Sequence, residues 1–204
     1  MKRFVIVVQV WLLLLVVCTV LTVLAFGQID VPLARHFWST GTSVSPFSTA
    51  FGAGVILASE SAVALTLVLI RLLRGHLSLF EEAVAIGCVT SICAYGINDA
   101  VVKPIFGVPS PTDVIKGAAH AFNWLGGSER SSFPSGHMVL AAAFAGVFMR
   151  YYRASIWPFS ALLLLAAGLL IYGDWHFLSD VIAGAFVGLS AGFLAGEAMW
   201  AQAS

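Results

Sequence analysis

Long apolar runs, each long enough or nearly long enough to cross a lipid bilayer, govern what this chain can fold into. They cover residues 4–26, 47–70, 83–102, 156–171 and 177–200, with a shorter run at 138–149. A bilayer core asks for about 20 apolar residues per helix. The 138–149 run is short unless extended back through His137 and forward through Tyr152. The pattern predicts an all-α, polytopic membrane bundle of about six helices, read as a single integral-membrane domain over 1–204 with a motif-bearing core at about 83–200. Composition agrees. Hydrophobic residues make up 60% of the 204 and charged residues 10%, against roughly 25% charged in soluble domains. So few charges cannot cover so much apolar surface in water. The zero net charge offers no footprint for nucleic acid. Three cysteines, Cys18, Cys88 and Cys93, all lie in apolar runs and form no CxxC pair, which argues against a disulfide framework or zinc site.

Basic residues orient the bundle. With six spans, Lys2, Arg3, Arg71, Arg74, Arg150 and Arg153 share one side in short connections, as the positive-inside rule requires of the cytoplasmic face. Both termini are then cytoplasmic. Arg35, Lys103, Lys116 and Arg130 fall outside, in longer segments. The N-terminal run also looks like a secretory signal, but it exceeds the roughly 7–15 apolar residues usual there, and retention as a helix is expected. Residues 29–39, which mix Arg35 and His36 with Phe37 and Trp38, read as an amphipathic stretch at the outer interface.

Polar residues converge on that outer side in three clusters. In the first, Asp99 precedes Lys103 by four residues, the spacing of a helical ion pair. Lys103 is there either for neutral packing near lipid or to meet an anion. The second is "SSFPSGHM". Pro134 suits a first helical turn, Ser131 or Ser132 is a candidate cap, and Gly136 lets a ligand approach the backbone. Free amides at a helix N-terminus attract phosphate, which would place an anion beside Ser135, Gly136 and His137. The third is "HFLSD". His176 and Asp180 share a helix face, so the carboxylate can fix the imidazole tautomer and leave the other nitrogen as a nucleophile or base. A satisfied polar pair at a helix mouth is the alternative. Two histidines, a lysine and a helix N-terminus on one face suit phosphoryl transfer, one imidazole attacking phosphorus and the other protonating the leaving oxygen. His120, His137, His176 and Asp180 are also eligible metal ligands, but carboxylates are scarce and HxxxH is absent, so no metal or other cofactor is expected.

Taken together, these residues resemble the type 2 phosphatidic acid phosphatase family, relatives of bacterial acid phosphatases and vanadium haloperoxidases. The family pattern is a lysine followed after six residues by Arg-Pro, then Pro-Ser-Gly-His, then Ser-Arg, five residues, His, three residues and Asp. The chain carries Lys103 with Pro111, Pro134-Ser135-Gly136-His137, and His176 with Asp180. The resemblance implies a metal-free phosphatase in which His176 attacks, Asp180 orients it and His137 protonates the leaving group. Lys103, Ser135 and Gly136 would hold phosphate oxygens. It implies a lipid phosphate or diphosphate as substrate, the bilayer as surroundings, and an outer, periplasmic site in a bacterial inner membrane. The chain departs from the pattern at Ser110 and Leu170, where arginines are called for, and at Val108, where many members carry another. Arg130 is the candidate replacement. A catalytically weak headgroup-binding relative and a small transporter, with Glu60 and Asn98 on its path, are the competing classes.

Overall fold

A computed structural model describes residues 2–41, 46–128 and 130–203, with side chains described for 7–41, 52–128 and 130–198. Lys2 and Arg3 therefore lie outside the described side chains. Among the described residues there are helices and no strand. Helix α1 (Lys2–Leu24) runs through a π-helical turn at Ala25–Ile29 into α2 (Asp30–Ser39). Next come α3 (Pro46–Arg74) and α4 (Leu79–Ile97), the latter opened by a capping box between Ser78 and Glu81. A second π-helical turn, Asn98–Val102, leads into α5 (Lys103–Phe106), and α6 (Pro111–Ile115) follows. The last three are α7 (Gly136–Tyr151), α8 (Ile156–Tyr172) and α9 (Leu178–Ala203).

Five stretches among the described residues are long and apolar enough to cross a membrane: Val7–Ser39, Gly52–Arg74, Leu79–Ile115, Arg153–Tyr172 and Leu178–Ala198. The chain is an integral membrane protein built as a helical bundle. The fourth expected span is α7, which extends at both ends as the sequence required but reaches only 16 residues. It is also the most enclosed helix, with Met138, Val139, Leu140, Ala142 and Ala143 almost inaccessible. Its neighbours, rather than lipid, surround it. The amphipathic 29–39 stretch is helical and continuous with α1, turning Asp30 and Ala34 inward and leaving Arg35 and His36 exposed.

The seam between α7 and α9 organises the bundle. Glycines recur at 184, 188, 192 and 196 along α9, one per turn on one face. A Cβ at Gly184, Gly188 or Gly192 would sit 2.6, 2.6 and 2.3 Å from the carbonyl oxygens of Ser135, Val139 and Ala143. No side chain fits at such distances, so the two backbones touch directly, the packing that small residues allow between membrane helices. Around this seam, α1 ties to α9 through Trp11 Nε1, which donates to Ser190 Oγ at 3.1 Å. Helix α8 packs Leu170 against Met138 and Val181. Helix α4 closes the other flank. Its Ser91 hydroxyl lies 3.0 Å from the Leu140 carbonyl and 3.1 Å from Glu60 Oε1 of α3. Glu60 is thus an interhelical hydrogen-bond acceptor. Of the cysteines, Cys88 is buried while Cys93 faces outward.

Candidate active site

The α7–α9 seam sets the site, because it brings two helix N-termini side by side. Ser135, the residue before α7, donates its backbone N–H to the Asp180 carbonyl at 3.0 Å. Asn98, on the π-helical turn after α4, donates to the Pro134 carbonyl at 3.1 Å. The start of α7 is thereby pinned from both sides. Ser135 is its cap, accepting from Met138 N at 3.3 Å. Ser131 and Ser132, the expected caps, serve elsewhere. The loop reaches Ser135 only after Pro134, which lies outside the helix rather than in its first turn.

Gly136 opens α7 because Tyr95 lies over it: a Cβ there would meet the tyrosine ring at 2.8 Å and Lys103 Nζ at 3.6 Å. The lysine ammonium therefore stands at the helix N-terminus, where the amides of Gly136 and His137 precede any carbonyl they can reach within the helix. Lys103 is mostly buried and its Nζ is 2.6 Å from Asp99 Oδ1, the i,i+4 pair read from the sequence. His137, one residue on, presents its ring 5.7 Å from that of His176, centre to centre, and 5.7 Å from that of Trp175. Its Nε2 faces α3 at Gly52, where an added Cβ would lie 3.7 Å away.

His176 and Asp180 meet, but not as a simple pair. The Nδ1–Oδ2 separation is 3.5 Å, long for a hydrogen bond. Ser132 stands between them, its hydroxyl 3.3 Å from His176 Nδ1 and donating to Asp180 Oδ2 in a short hydrogen bond. Once that proton is committed to the carboxylate, the oxygen accepts from Nδ1–H, and Nε2 keeps its lone pair. Asp180 Oδ2 also accepts from Phe177 N at 2.9 Å. Ser132 is fixed in turn by its own N–H, which donates to the Val108 carbonyl at 2.7 Å. The relay from His176 through Ser132 to Asp180 is the main site element that the sequence did not show. No spacing rule links residues 44 positions apart.

The positions where the family pattern calls for arginine have other work. Ser110 caps α6, in a capping box with Asp113. The Leu170 side chain belongs to the apolar cluster with Met138 and Val181, and its carbonyl accepts from the N–H groups of Trp175 and His176 at 3.0 and 3.2 Å. Val108 is fully buried. Arg130 is exposed, in the loop that carries Ser132.

His120 turns away from the paired imidazoles. Its Nε2 is 3.6 Å from Asp30 Oδ2, and its ring stacks on Phe26 at 4.1 Å and lies 4.4 Å from that of Phe177. Burial holds this imidazole below its ordinary value of 6.5, with the Asp180 charge pulling the other way. Phe122 and Trp124 stack on each other, and Phe122 also stacks on Phe26, so these rings join the loop before α7 to the π-helical turn after α1. Among the described residues no three histidine, cysteine or acidic side chains converge as a metal-binding group.

A membrane-embedded helical bundle with a buried lysine, a helix N-terminus and two imidazoles at one end has the equipment to bind a phosphoryl group and transfer it. Comparison with known families narrows that class: the model of the PAP2 superfamily matches residues 83–203, and the chain belongs to that superfamily. Membership supports a hydrolase activity of the phosphatase type. Neither a curated protein nor a solved structure matches the chain.

Proposed function

We propose that this protein is a lipid phosphate phosphatase that works through a phosphohistidine. The observation that carries the reading is the Ser132-relayed contact of His176 Nδ1 with Asp180, which leaves Nε2 its lone pair, with the His137 ring 5.7 Å from that of His176, centre to centre. In the first step the Nε2 electron pair attacks phosphorus and the bond to the leaving oxygen breaks. His137, protonated, gives its proton to that oxygen, and the alcohol or lipid phosphate departs. In the second step neutral His137 takes a proton from water as the water oxygen attacks phosphorus. The P–N bond breaks, inorganic phosphate leaves and His176 is restored. Lys103, the Gly136 amide and the Ser135 hydroxyl hold the phosphoryl oxygens. A hydroxyl that accepts from Met138 N still has a proton to donate. Arg130, on the same loop as Ser132, supplies a second cation. No metal enters this scheme.

The substrate is a phosphate monoester or diphosphate of a membrane lipid, presented at the bilayer surface where α4, α7 and α9 end or begin. By the positive-inside count, that surface is extracytoplasmic and both termini are cytoplasmic, as in a bacterial inner-membrane protein with a periplasmic site. Purified protein should release phosphate from phosphatidic acid or polyprenyl diphosphate and trap an acid-labile phosphohistidine, and His176→Ala should do neither. Equal inactivity of wild type and variant across such lipids would remove the enzyme reading. The apolar Leu170 and the capping Ser110 favour a second reading, a relative that binds lipid phosphate and turns it over slowly. Saturable vanadate binding without turnover would select it.

A further inference from the structure

The loop between α6 and α7 carries a feature that the phosphoryl chemistry does not use. Its tip holds Trp124, 63% exposed, and Leu125, 82% exposed. Leu125 has a φ of +59°, a left-handed conformation that glycine or asparagine would adopt at lower cost. Residues 117–127 include no lysine, arginine or carboxylate, and the one histidine among them, His120, is turned inward to Asp30. An exposed apolar tip so bare of charge marks a contact surface. The tip is also held firmly. Asn123, Leu125 and Gly127 donate their N–H groups to the carbonyls of Phe106, Ile105 and Pro104 at 3.0, 2.8 and 3.1 Å, satisfying carbonyls that a helix end leaves open. The Trp124 ring lies 5.2 Å from that of Phe106 and 5.4 Å from that of Phe122, centre to centre. A Cβ on Gly127 would come within 2.8 Å of the Lys103 carbonyl oxygen, so the loop meets main chain to main chain at the lysine of the site.

Two observations say what the tip touches. From Leu79 to Val102 the chain climbs about 36 Å at about 1.5 Å per residue, against a hydrocarbon core of about 30 Å, so α5 and the loop resting on it stand at headgroup level. Along that climb Val89, Cys93, Ile97 and Val101 are exposed at four-residue steps, a lipid-facing stripe on a membrane span. The next step is Ile105, whose carbonyl holds Leu125. The tip therefore continues the lipid-facing surface of this span. A tryptophan at that depth is a common interfacial anchor. We propose that Trp124 and Leu125 form a lipid-inserting finger, which enters the leaflet adjoining the site and holds Lys103 at the depth of the lipid phosphates. Insertion stands apart from the phosphatase reading above; the depth-setting role rests on it.

The test uses full-length protein reconstituted in phosphatidylcholine vesicles. Leu125→Cys, with Cys18, Cys88 and Cys93 replaced by alanine, is labelled with an environment-sensitive fluorophore. Phosphatidylcholine spin-labelled near the top of its acyl chain should quench the label more strongly than aqueous iodide does. The reverse order would make the tip water-facing, and efficient cross-linking of Leu125→Cys between copies would give it a protein partner; either result overturns the finger. The second arm keeps the native cysteines. The double variant Trp124→Ser, Leu125→Ser should lower kcat/KM for dioleoyl phosphatidic acid in vesicles by about fivefold or more (~1 kcal/mol), and leave that for freely dissolved dihexanoyl phosphatidic acid within about twofold. Equal losses on the two lipids, or loss on neither, would overturn the depth-setting role. If wild type hydrolyses neither lipid, the phosphatase reading is what has failed, and the quenching order alone then decides the finger.

Discussion

Two clusters meet at the first turn of α9, built from the same three residue types and wired differently. In one, Ser132 links His176 to Asp180, and the carboxylate also accepts from Phe177 N. In the other, Asp30 accepts from the backbone N–H and hydroxyl of Ser179 and faces His120. Both carboxylates lie at the N-terminus of α9, where a negative charge is favoured by the helix dipole. The histidines differ. His176 stands 5.7 Å from His137, at the end of the bundle that holds Lys103. His120 is enclosed by Phe26 and Phe177. The first cluster thus has a ring nitrogen to offer to a ligand, while in the second the ring is packed between Phe26 and Phe177 and its Nε2 is buried 3.6 Å from Asp30 Oδ2, without a hydrogen bond among the described residues. Residue type does not separate a reactive histidine from a structural one; the surroundings of the second nitrogen do.

The sharpest way to break this contrast is to remove each imidazole in turn. His176→Ala should lower phosphate release on the order of 10⁴-fold or more, as loss of a nucleophile does. His120→Ala should stay within about tenfold, and equal losses would erase the distinction. Next in size, Lys103→Met should reduce kcat/KM by about 10- to 100-fold, the worth of a charge-assisted hydrogen bond. Ser132→Ala should cost about tenfold, in kcat more than in KM, because Ser132 positions His176 without holding the phosphate in the proposed scheme. It should also displace the acid limb of the pH–rate profile, which a purely structural serine would leave in place. On the structural side, Asp30→Asn should lower stability by about 1–2 kcal/mol, since it weakens a helix cap and a buried contact; a detergent-phase Tm series reads it.

The smallest effects concern pH and have opposite signs. His120 titrates below 6.5 in the fold, so its contribution is present above that value and lost as pH falls through the lowered one. His120→Gln should therefore flatten the fall in Tm on the acid side. Burial raises Asp174 from 3.8 to about 6. Its neutral form suits the fold, so that contribution is full below 3.8 and lost as pH rises through about 6. Asp174→Asn should raise Tm at pH 7 relative to wild type and make little difference at pH 3.5.

The same contrast explains what was legible in the sequence. Helix positions followed from run length, and the approach of Asp99 to Lys103 and of His176 to Asp180 from four-residue spacing, although His176 stands in the turn before α9 and not on the helix face the spacing predicts. The glycines at 184, 188, 192 and 196 were visible too, at the same period, but their meaning depends on the partner surface: only against α7 do they become a backbone contact. Asp30 and Ser179 stand 149 residues apart, and Ser132 and Asp180 stand 48 apart. Nothing local marks such pairings, because folding creates them. Ser131 and Ser132 looked like caps since serine is a good cap wherever a helix begins, yet the chain continues to Ser135 before α7 starts. Leu170 and Ser110 read as missing arginines, while in the structure one fills a core and the other starts a helix.

The glycine seam has a mechanical consequence. Bilayers thicken, thin and bend, and helices that meet through long side chains can slide as they tilt in response. Where carbonyl oxygens press against glycine Cα atoms over three successive turns, there is no compliant layer to absorb such motion. Helices α7 and α9 must move as a single strut, and the gap between His137 on α7 and His176, in the turn that enters α9, is held against that strut. The outer helices can then follow the lipid while that gap stays constant.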